Sequence, residues 1–348
     1  MKALFIGGTG TISGAVSRLA PALGWEIFHL NRGSRKSEFA GAAQIPCDIR
    51  TESADAIREK LEKVIGKGGK FDVVADFIAF VPDHIQKDID IFDGLCRQFI
   101  FISSASAYQK PLSSYLITES TPLANPFWQY SRDKIACEEM LTAKYRENGF
   151  PITIVRPSHT YDERSVPLGV HGSKGSWQVL KRMTCEKPVI IHGDGTSLWT
   201  LTHSSDFAYA FVRIMGNIHA IGEAVHITSD EGLTWNQIYQ IMANTLNTGL
   251  KAVHIASEYL AKHSEDKYDF RGGLLGDKAH SVVFDNTKIK RLVPDFCAKV
   301  RPDEGIPLTI ANILAKSELQ IDDPEFDEWC DQVISCLYSA YSPVKRET

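Results

Sequence analysis

A chain of 348 residues, 43% hydrophobic and 23% charged, has the composition of a soluble globular protein. It is too long for one small core, which leaves two unequal domains or one elaborated α/β domain. Seven scattered cysteines (Cys47, Cys96, Cys137, Cys185, Cys297, Cys330 and Cys336) form no Cys-x-x-Cys pair, which excludes a disulfide framework and a zinc knuckle. No apolar run is long enough for a membrane span, and a net charge of −5 gives no general attraction to a phosphate backbone.

In chain order, Ala3–Ile6 reads as an apolar strand that runs into Gly7-Gly8-Thr9-Gly10-Thr11-Ile12-Ser13-Gly14. The turn opens onto the helical pattern Ala15-Val16-Ser17-Arg18-Leu19-Ala20. Such a unit aims backbone N–H groups and the positive end of a helix dipole at one spot, where a pyrophosphate can sit. Gly7 and Gly10 permit a tight turn and close approach of backbone to ligand. A dinucleotide site is therefore expected at this turn. The opening residues read as a strand rather than a signal peptide, so the expected location is the cytoplasm.

Trp25–Leu30 reads as the second strand and ends at Asn31-Arg32-Gly33. Asn31 follows the turn by roughly 20 residues, the distance at which the adenosine ribose is met. An acidic residue there would bond a free 2′-hydroxyl and repel a 2′-phosphate. Asn31 followed by Arg32, with Arg35 and Lys36 close behind, leans toward NADP(H) over NAD.

Ala43–Cys47 is a short third strand leading to Asp48-Ile49-Arg50, a candidate contact for the adenine edge. A helix over 52–65 is broken by Gly66-Lys67-Gly68-Gly69-Lys70. Phe71–Ala79 is the near-continuous apolar run of a strand buried on both faces. A helix over 83–97 and a strand over 98–102 follow. Strands alternating with helices indicate a doubly wound parallel sheet. The candidate residues (7–9, Asn31 and Arg32, Asp48, 77–80 and 103–108) all fall at carboxyl ends of strands, where such sheets bind ligands.

After a strand over 151–157 the alternation loosens. Helices are expected near 175–184, over 206–216 and over 234–245, with a strand over 223–229. Residues 250–305 read as irregular, and helices near 307–317 and 325–340 close the chain. The expected division is a dinucleotide-binding domain over 1–160, to which 201–228 returns, and a smaller substrate domain over 161–200 and 229–348.

Tyr130-Ser131-Arg132-Asp133-Lys134 heads a helix, and residues four apart share a face. An ammonium near a phenol favours the phenolate, which makes a proton donor and acceptor suited to an alcohol–ketone couple. Lys134 can also bond the nicotinamide ribose. Ser103-Ser104-Ala105-Ser106-Ala107-Tyr108 directly follows a strand, and a hydroxyl there could hold the substrate oxygen. His171, His192 and His203 lack ligand spacing, so no metal is expected. Trp177 and Trp199 could wall a pocket, though packing is the commoner task for tryptophan.

These features together resemble the short-chain dehydrogenase/reductase superfamily, in its extended, epimerase/dehydratase-like branch. The resemblance covers most of the chain, most clearly 1–160 and 190–230. It rests on the Gly7–Ser13 turn, Asp48-Ile49, Ser103-Ser104-x-x-x-Tyr108, Tyr130-x-x-x-Lys134, Arg156-Pro157, His192-Gly193-Asp194-Gly195 and Asp206. It implies an α/β, Rossmann-type doubly wound parallel sheet with a smaller interleaved C-terminal substrate domain. It also implies NAD(P) bound by Gly7, Thr9, Gly10, Thr11, Ile12, Asn31, Arg32, Asp48, Ile49, Phe77, Ile78, Ala79, Tyr130, Lys134 and Pro157. Tyr130 would be the acid/base, Lys134 its partner and Ser104 the substrate-polarising hydroxyl. Ser104, Ser106, His159 and Trp199 would line the substrate.

Three positions depart from the family pattern. Ser13 replaces the third glycine of the turn, which implies some strain. Leu198-Trp199-Thr200 carries no arginine to grip a diphosphate, and His159 replaces the asparagine after Arg156-Pro157. The expected function is hydride transfer at a sugar or nucleotide-sugar carbinol by a homodimer built through the helices near 83–97 and 130–146. In that reading the partner is a sugar-like small molecule, with no nucleic acid and no membrane. The alternative is a cofactor-binding RNA-binding or regulatory protein, similar to chloroplast stem-loop-binding proteins.

Overall fold

The computed structural model describes residues 1–33, 41–264 and 267–340; Arg35 and Lys36 lie outside the described residues. Its largest feature is a sheet of seven strands: β1 (Lys2–Ile6), β2 (Glu26–Asn31), β3 (Ala42–Pro46), β4 (Val73–Asp76), β5 (Phe99–Ile102), β6 (Ile152–Pro157) and β7 (Ala224–Ile227). Every ladder is parallel, and the strands lie in the order β3-β2-β1-β4-β5-β6-β7. The order reverses between β1 and β4, where a crevice opens outside the carboxyl ends of the strands.

Both faces of the sheet are covered, which explains the unbroken apolar runs. Ala3, Phe5, Val73, Ala75, Ile100, Ile102 and Val155 face one layer, where α1 (Thr11–Leu19) and α5 (Ser204–Ile214) contribute Val16, Phe207 and Phe211. Leu4, Ile6, Val74, Phe99, Phe101, Ile152 and Ile154 face the other. There α2 (Ala54–Ile65), α3 (Pro82–Phe92) and α4 (Gln129–Asn148) contribute Ile57, Leu61, Ile85, Ile89, Cys137 and Leu141. Successive residues of β1 alternate between the layers, as the period-two pleat requires. Each fully buried Phe or Ile contributes about 1.5–3 kcal/mol.

Some boundaries differ from the sequence expectation, each for a local reason. The helix expected over 83–97 stops at Phe92, because Gly94 takes φ 77° and turns the chain. The strand β4 stops at Asp76, whose carboxylate accepts the Ile78 N–H and starts a turn. The helix expected from 307 begins at Pro302 and carries Pro307 inside it. The stretch expected to be irregular holds a strand (Ala252–Ile255), helices at Ser257–Lys262 and Thr287–Leu292, and a π-helix at Arg271–Lys278.

The chain divides into two compact units. The first comprises Met1–Tyr161, Thr200–Gly232 and Val282–Arg301. The last of these segments was expected in the smaller domain, but Ile289, Val293 and Phe296 complete the apolar layer beside α1 and α5. The second unit comprises Asp162–Trp199, Leu233–Ser281 and the chain from Pro302. In it, Val189–His192 pairs in parallel with Ala252–Ile255. Arg182, on the helix Trp177–Thr184, is buried and reaches Asp327 and Asp331 of the helix Pro324–Ala340, both at 2.7 Å. Among the described residues, no helix is long and apolar enough to cross a membrane.

Candidate active site

The glycine turn is shaped from below by two side chains. Gly7 has φ 80°, and a Cβ there would strike the Ile78 side chain. A Cβ at Gly8 would strike the His29 ring, 2.5 Å from its Cδ2. His29 is buried on β2, 2.8 Å from Ser17 Oγ, and burial lowers its pKa to about 4. It is neutral at physiological pH. Ser13 is a cross-link rather than a source of strain: its hydroxyl accepts the Gly10 N–H and donates to the Gly7 carbonyl, both at 2.8 Å. Gly10 caps α1 without a side chain, and no acid stands in the first turn. The helix N-terminus therefore keeps its affinity for an anion.

This turn borders a cleft of about 630 Å³, a size that suits a cofactor. The cleft brings together Gly7, Thr9, Gly10, Thr11 and Ile12 with Asn31, Arg32, Asp48, Ile49, Phe77 and Ile78. It is also lined by Arg50 and Phe80, which the sequence reading had placed at the ligand edge, and by His84 and Ile102, which it had not. Asn31 spends its amide on the turn: Nδ2 donates to Gln44 at 2.9 Å, and Oδ1 accepts the Gly33 N–H at 3.0 Å. Asp48 Oδ1 accepts the Arg50 N–H at 3.0 Å. Ala79, Tyr130, Lys134 and Pro157 do not line this cleft; Pro157 is buried at the end of β6. With a pyrophosphate cradle at one end and polar edges at the other, the residues present fit a dinucleotide.

Lys134 sits on α4 with its side chain buried. Its Nζ donates to the carbonyls of Ala79 and Ile102, both at 2.7 Å. It lies 4.8 Å from the Phe101 ring centre, 4.9 Å from that of Phe80 and 5.7 Å from that of Tyr130. Burial lowers its pKa to about 8. Tyr130 occupies the first turn of α4 and packs on Trp128 at 4.9 Å between ring centres.

The serines after β5 separate into two roles. Ser103 Oγ donates to Glu138 at 2.5 Å, and Glu138 forms a buried two-pronged pair with Arg156. These groups hold structure. Ser104 and Ser106 instead belong to a hydroxyl chain: Ser131 Oγ donates to Ser106 Oγ at 2.7 Å, and Ser106 Oγ lies 2.9 Å from Ser104 Oγ. The chain ties the turn after β5 to the residue next to Tyr130. Glu138 and Ser131 were missed by the sequence reading. The only signal was the four-residue spacing that puts Tyr130, Lys134 and Glu138 on one helical face.

Two expectations about the second unit need correction. Trp199 is 2% exposed and packs on Trp235 at 5.4 Å, so it is a core residue rather than a pocket wall. A cation does stand at this turn: Lys278, from the π-helix, lies 5.9 Å from the Trp199 ring and 3.7 Å from Asp277. His192 is buried and neutral, its pKa lowered to about 4 by burial, and its Nε2 donates to the Lys278 carbonyl at 2.9 Å. In the first unit, half-buried His159 opens the short strand His159–Tyr161. Among the described residues, no group of three or more His, Cys, Asp or Glu is placed to hold a metal ion.

A seven-stranded parallel sheet and a glycine cradle at its switch point define an α/β, Rossmann-type fold. The model of the NAD dependent epimerase/dehydratase family matches residues 3–228, and the chain belongs to that family. It is similar to 2'-dehydrokanamycin reductase of Streptomyces kanamyceticus, 24% identical over 296 residues, which span 85% of this chain and 80% of that one. It is also similar to the chloroplast stem-loop binding protein of 41 kDa b of Arabidopsis thaliana, 25% identical over 256 residues, 70% of this chain and 62% of that one. Among solved structures, the UDP-glucuronic acid 4-epimerase of Bacillus cereus with UDP-glucuronic acid and NAD shares the fold, with a TM-score of 0.69 at 18% identity. That match covers 90% of this chain and 99% of that chain. Family membership makes the protein an NAD-dependent enzyme of the oxidoreductase and isomerase kind.

Proposed function

We propose that the protein is an NAD(P)-dependent oxidoreductase of the epimerase/dehydratase type, transferring hydride at a sugar or nucleotide-sugar carbinol with Tyr130 as acid and base. When bound, the nicotinamide supplies or accepts the hydride. Lys134 carries the reading. Its buried ammonium is held by two backbone carbonyls and faces the ring of the tyrosine four residues before it. A charge fixed in this way stays in place while Tyr130 Oη gives or takes the proton, and it stabilises negative charge on that oxygen.

The hydroxyl chain gives Ser104 its direction. Ser131 donates to Ser106, so the proton of Ser106 is free to be donated to Ser104. Ser104 Oγ also accepts the Ser106 N–H at 3.2 Å. Its own proton is then left for a substrate oxygen. Arg32, exposed at the rim of the cleft, supports a preference for the 2′-phosphorylated cofactor.

The test is Tyr130→Phe. Turnover is followed as cofactor oxidation or reduction against sugars, aminoglycosides and nucleotide sugars, with cofactor affinity measured alongside. A loss of about 10²–10⁴-fold at unchanged affinity is expected; undiminished turnover refutes the assignment. Likeness to the stem-loop binding protein favours a second reading, a cofactor-binding RNA-binding protein. Salt-sensitive retention on a stem-loop RNA would support that reading. The Ser104–Tyr130–Lys134 set and the charge of −5 favour the enzyme.

A further inference from the structure

Close to Lys134 the first unit gathers a group of charges that the proposed chemistry does not use: half-buried Arg50 after β3, Asp76 at the end of β4 and Asp88 on α3. Both aspartates are fully buried. Asp76 Oδ1 accepts the Ile78 N–H at 2.6 Å, but Oδ2 has no hydrogen-bond donor, and Arg50 Nη2 approaches it only to 3.5 Å. Neither oxygen of Asp88 has a donor. An ionised carboxylate in such a place has nothing to replace its lost hydration, whereas a carboxylic acid needs only one acceptor. The acceptor is present: Asp76 is the group that acts on Asp88 next after burial, and one of its oxygens lacks a donor. One proton on Asp88 makes it a donor and satisfies the orphaned oxygen of its neighbour.

We propose that Asp88 keeps its proton at neutral pH and turns it toward Asp76, and that this pair positions the wall of the cofactor cleft and the charge of Lys134. Asp76 and Arg50 together hold Ile78 at both ends of its backbone, the N–H on Asp76 and the carbonyl on Arg50 Nη2 at 2.8 Å. The next carbonyl, that of Ala79, takes the Lys134 ammonium. The segment beside the adenine edge is thereby linked to the catalytic lysine through two consecutive residues.

The surrounding charges agree with this assignment. Arg50 and Lys87 are the cations acting on Asp88, and Asp88 in turn acts on the Cys137 thiol of α4. Lys134, and His84 from α3, feel the charge of Asp76. Burial first, and then Asp76, hold the Asp88 carboxyl well above the ordinary range. The same Asp76 charge opposes the loss of the Lys134 proton.

The proton on Asp88 stands on the buried pair alone, while the role at Lys134 rests on the hydride-transfer reading. The test is carboxyl NMR of the cofactor-free protein labelled with ¹³C-aspartate, titrated around neutral pH. One aspartate resonance should keep the shift of a protonated acid at pH 7 and disappear in Asp88→Asn, which retains a donor but cannot ionise. If every aspartate is ionised at pH 7, the proposal is overturned, and this wild-type measurement decides even where a variant does not fold. Asp76→Asn should move the pH at which NAD(P) binding weakens down by about one unit. An unmoved midpoint removes the role at Lys134. A fully active Tyr130→Phe protein would refute the hydride-transfer reading while leaving the proton result standing.

Discussion

In the proposed reading Arg32 meets the ribose position at which the two nicotinamide cofactors differ. The amide of Asn31 is committed to Gln44 and Gly33, which leaves Arg32 as the charged group lining the cleft among the described residues of that turn. An arginine–phosphate contact is charge-assisted and able to use two N–H groups. Arg32→Ala should therefore weaken NADP binding about tenfold and leave NAD binding nearly unchanged; titration with each cofactor checks this. An equal effect on both would show that Arg32 merely attracts anions. The turn and Arg32 are legible as motifs because they are neighbours in the chain. The reason Gly8 must be glycine is not, because the ring that forbids a Cβ is His29 on the next strand.

At the scale of elements, α4 is the part that most depends on others. Its Tyr130, Lys134 and Glu138 rise one turn at a time along one face. Lys134 holds the segment after β4 and the end of β5, and Glu138 holds Ser103 after β5 and Arg156 on β6. Glu138→Ala would leave Arg156, 4% exposed, as a buried charge without its partner. A loss of about 3–5 kcal/mol of stability is expected, with Glu138→Gln losing less. Urea unfolding measures both, and a change below about 1 kcal/mol for Glu138→Ala would show the pair to be dispensable. Tyr-x-x-x-Lys is readable in one helix. Glu138 is not, since its partners come from separate strands and only burial makes the pair matter.

At the scale of the molecule, stability should depend on buried histidines in both units. His29 and His192 have folded pKa values of about 4 against 6.5 for an ordinary histidine. Between those values the unfolded chain binds the proton and the folded chain does not, so stability is lost as pH falls from 6.5 toward 4. Each site contributes at most about 3 kcal/mol to that loss. Urea midpoints at pH 7 and pH 4.5 test it, and equal midpoints would contradict the burial of neutral rings. His29→Gln should lessen the difference.

The sequence by itself determined the devices written within a turn of helix or the pleat of a strand. These are the β1–glycine turn–α1 unit, the alternation that makes the parallel sheet, and the Tyr130–Lys134 spacing. Tertiary structure alone decided which buried polar groups meet. It returned Val282–Arg301 to the sheet unit, brought Lys278 over Trp199, and paired Glu138 with Arg156. It also reshaped the reading of the opening turn, where Ser13 proves to be a hydrogen-bonded staple. The physical reason is the same in each case. The charge and role of a buried polar group are set by burial and by partners brought from distant segments, and no local pattern records either.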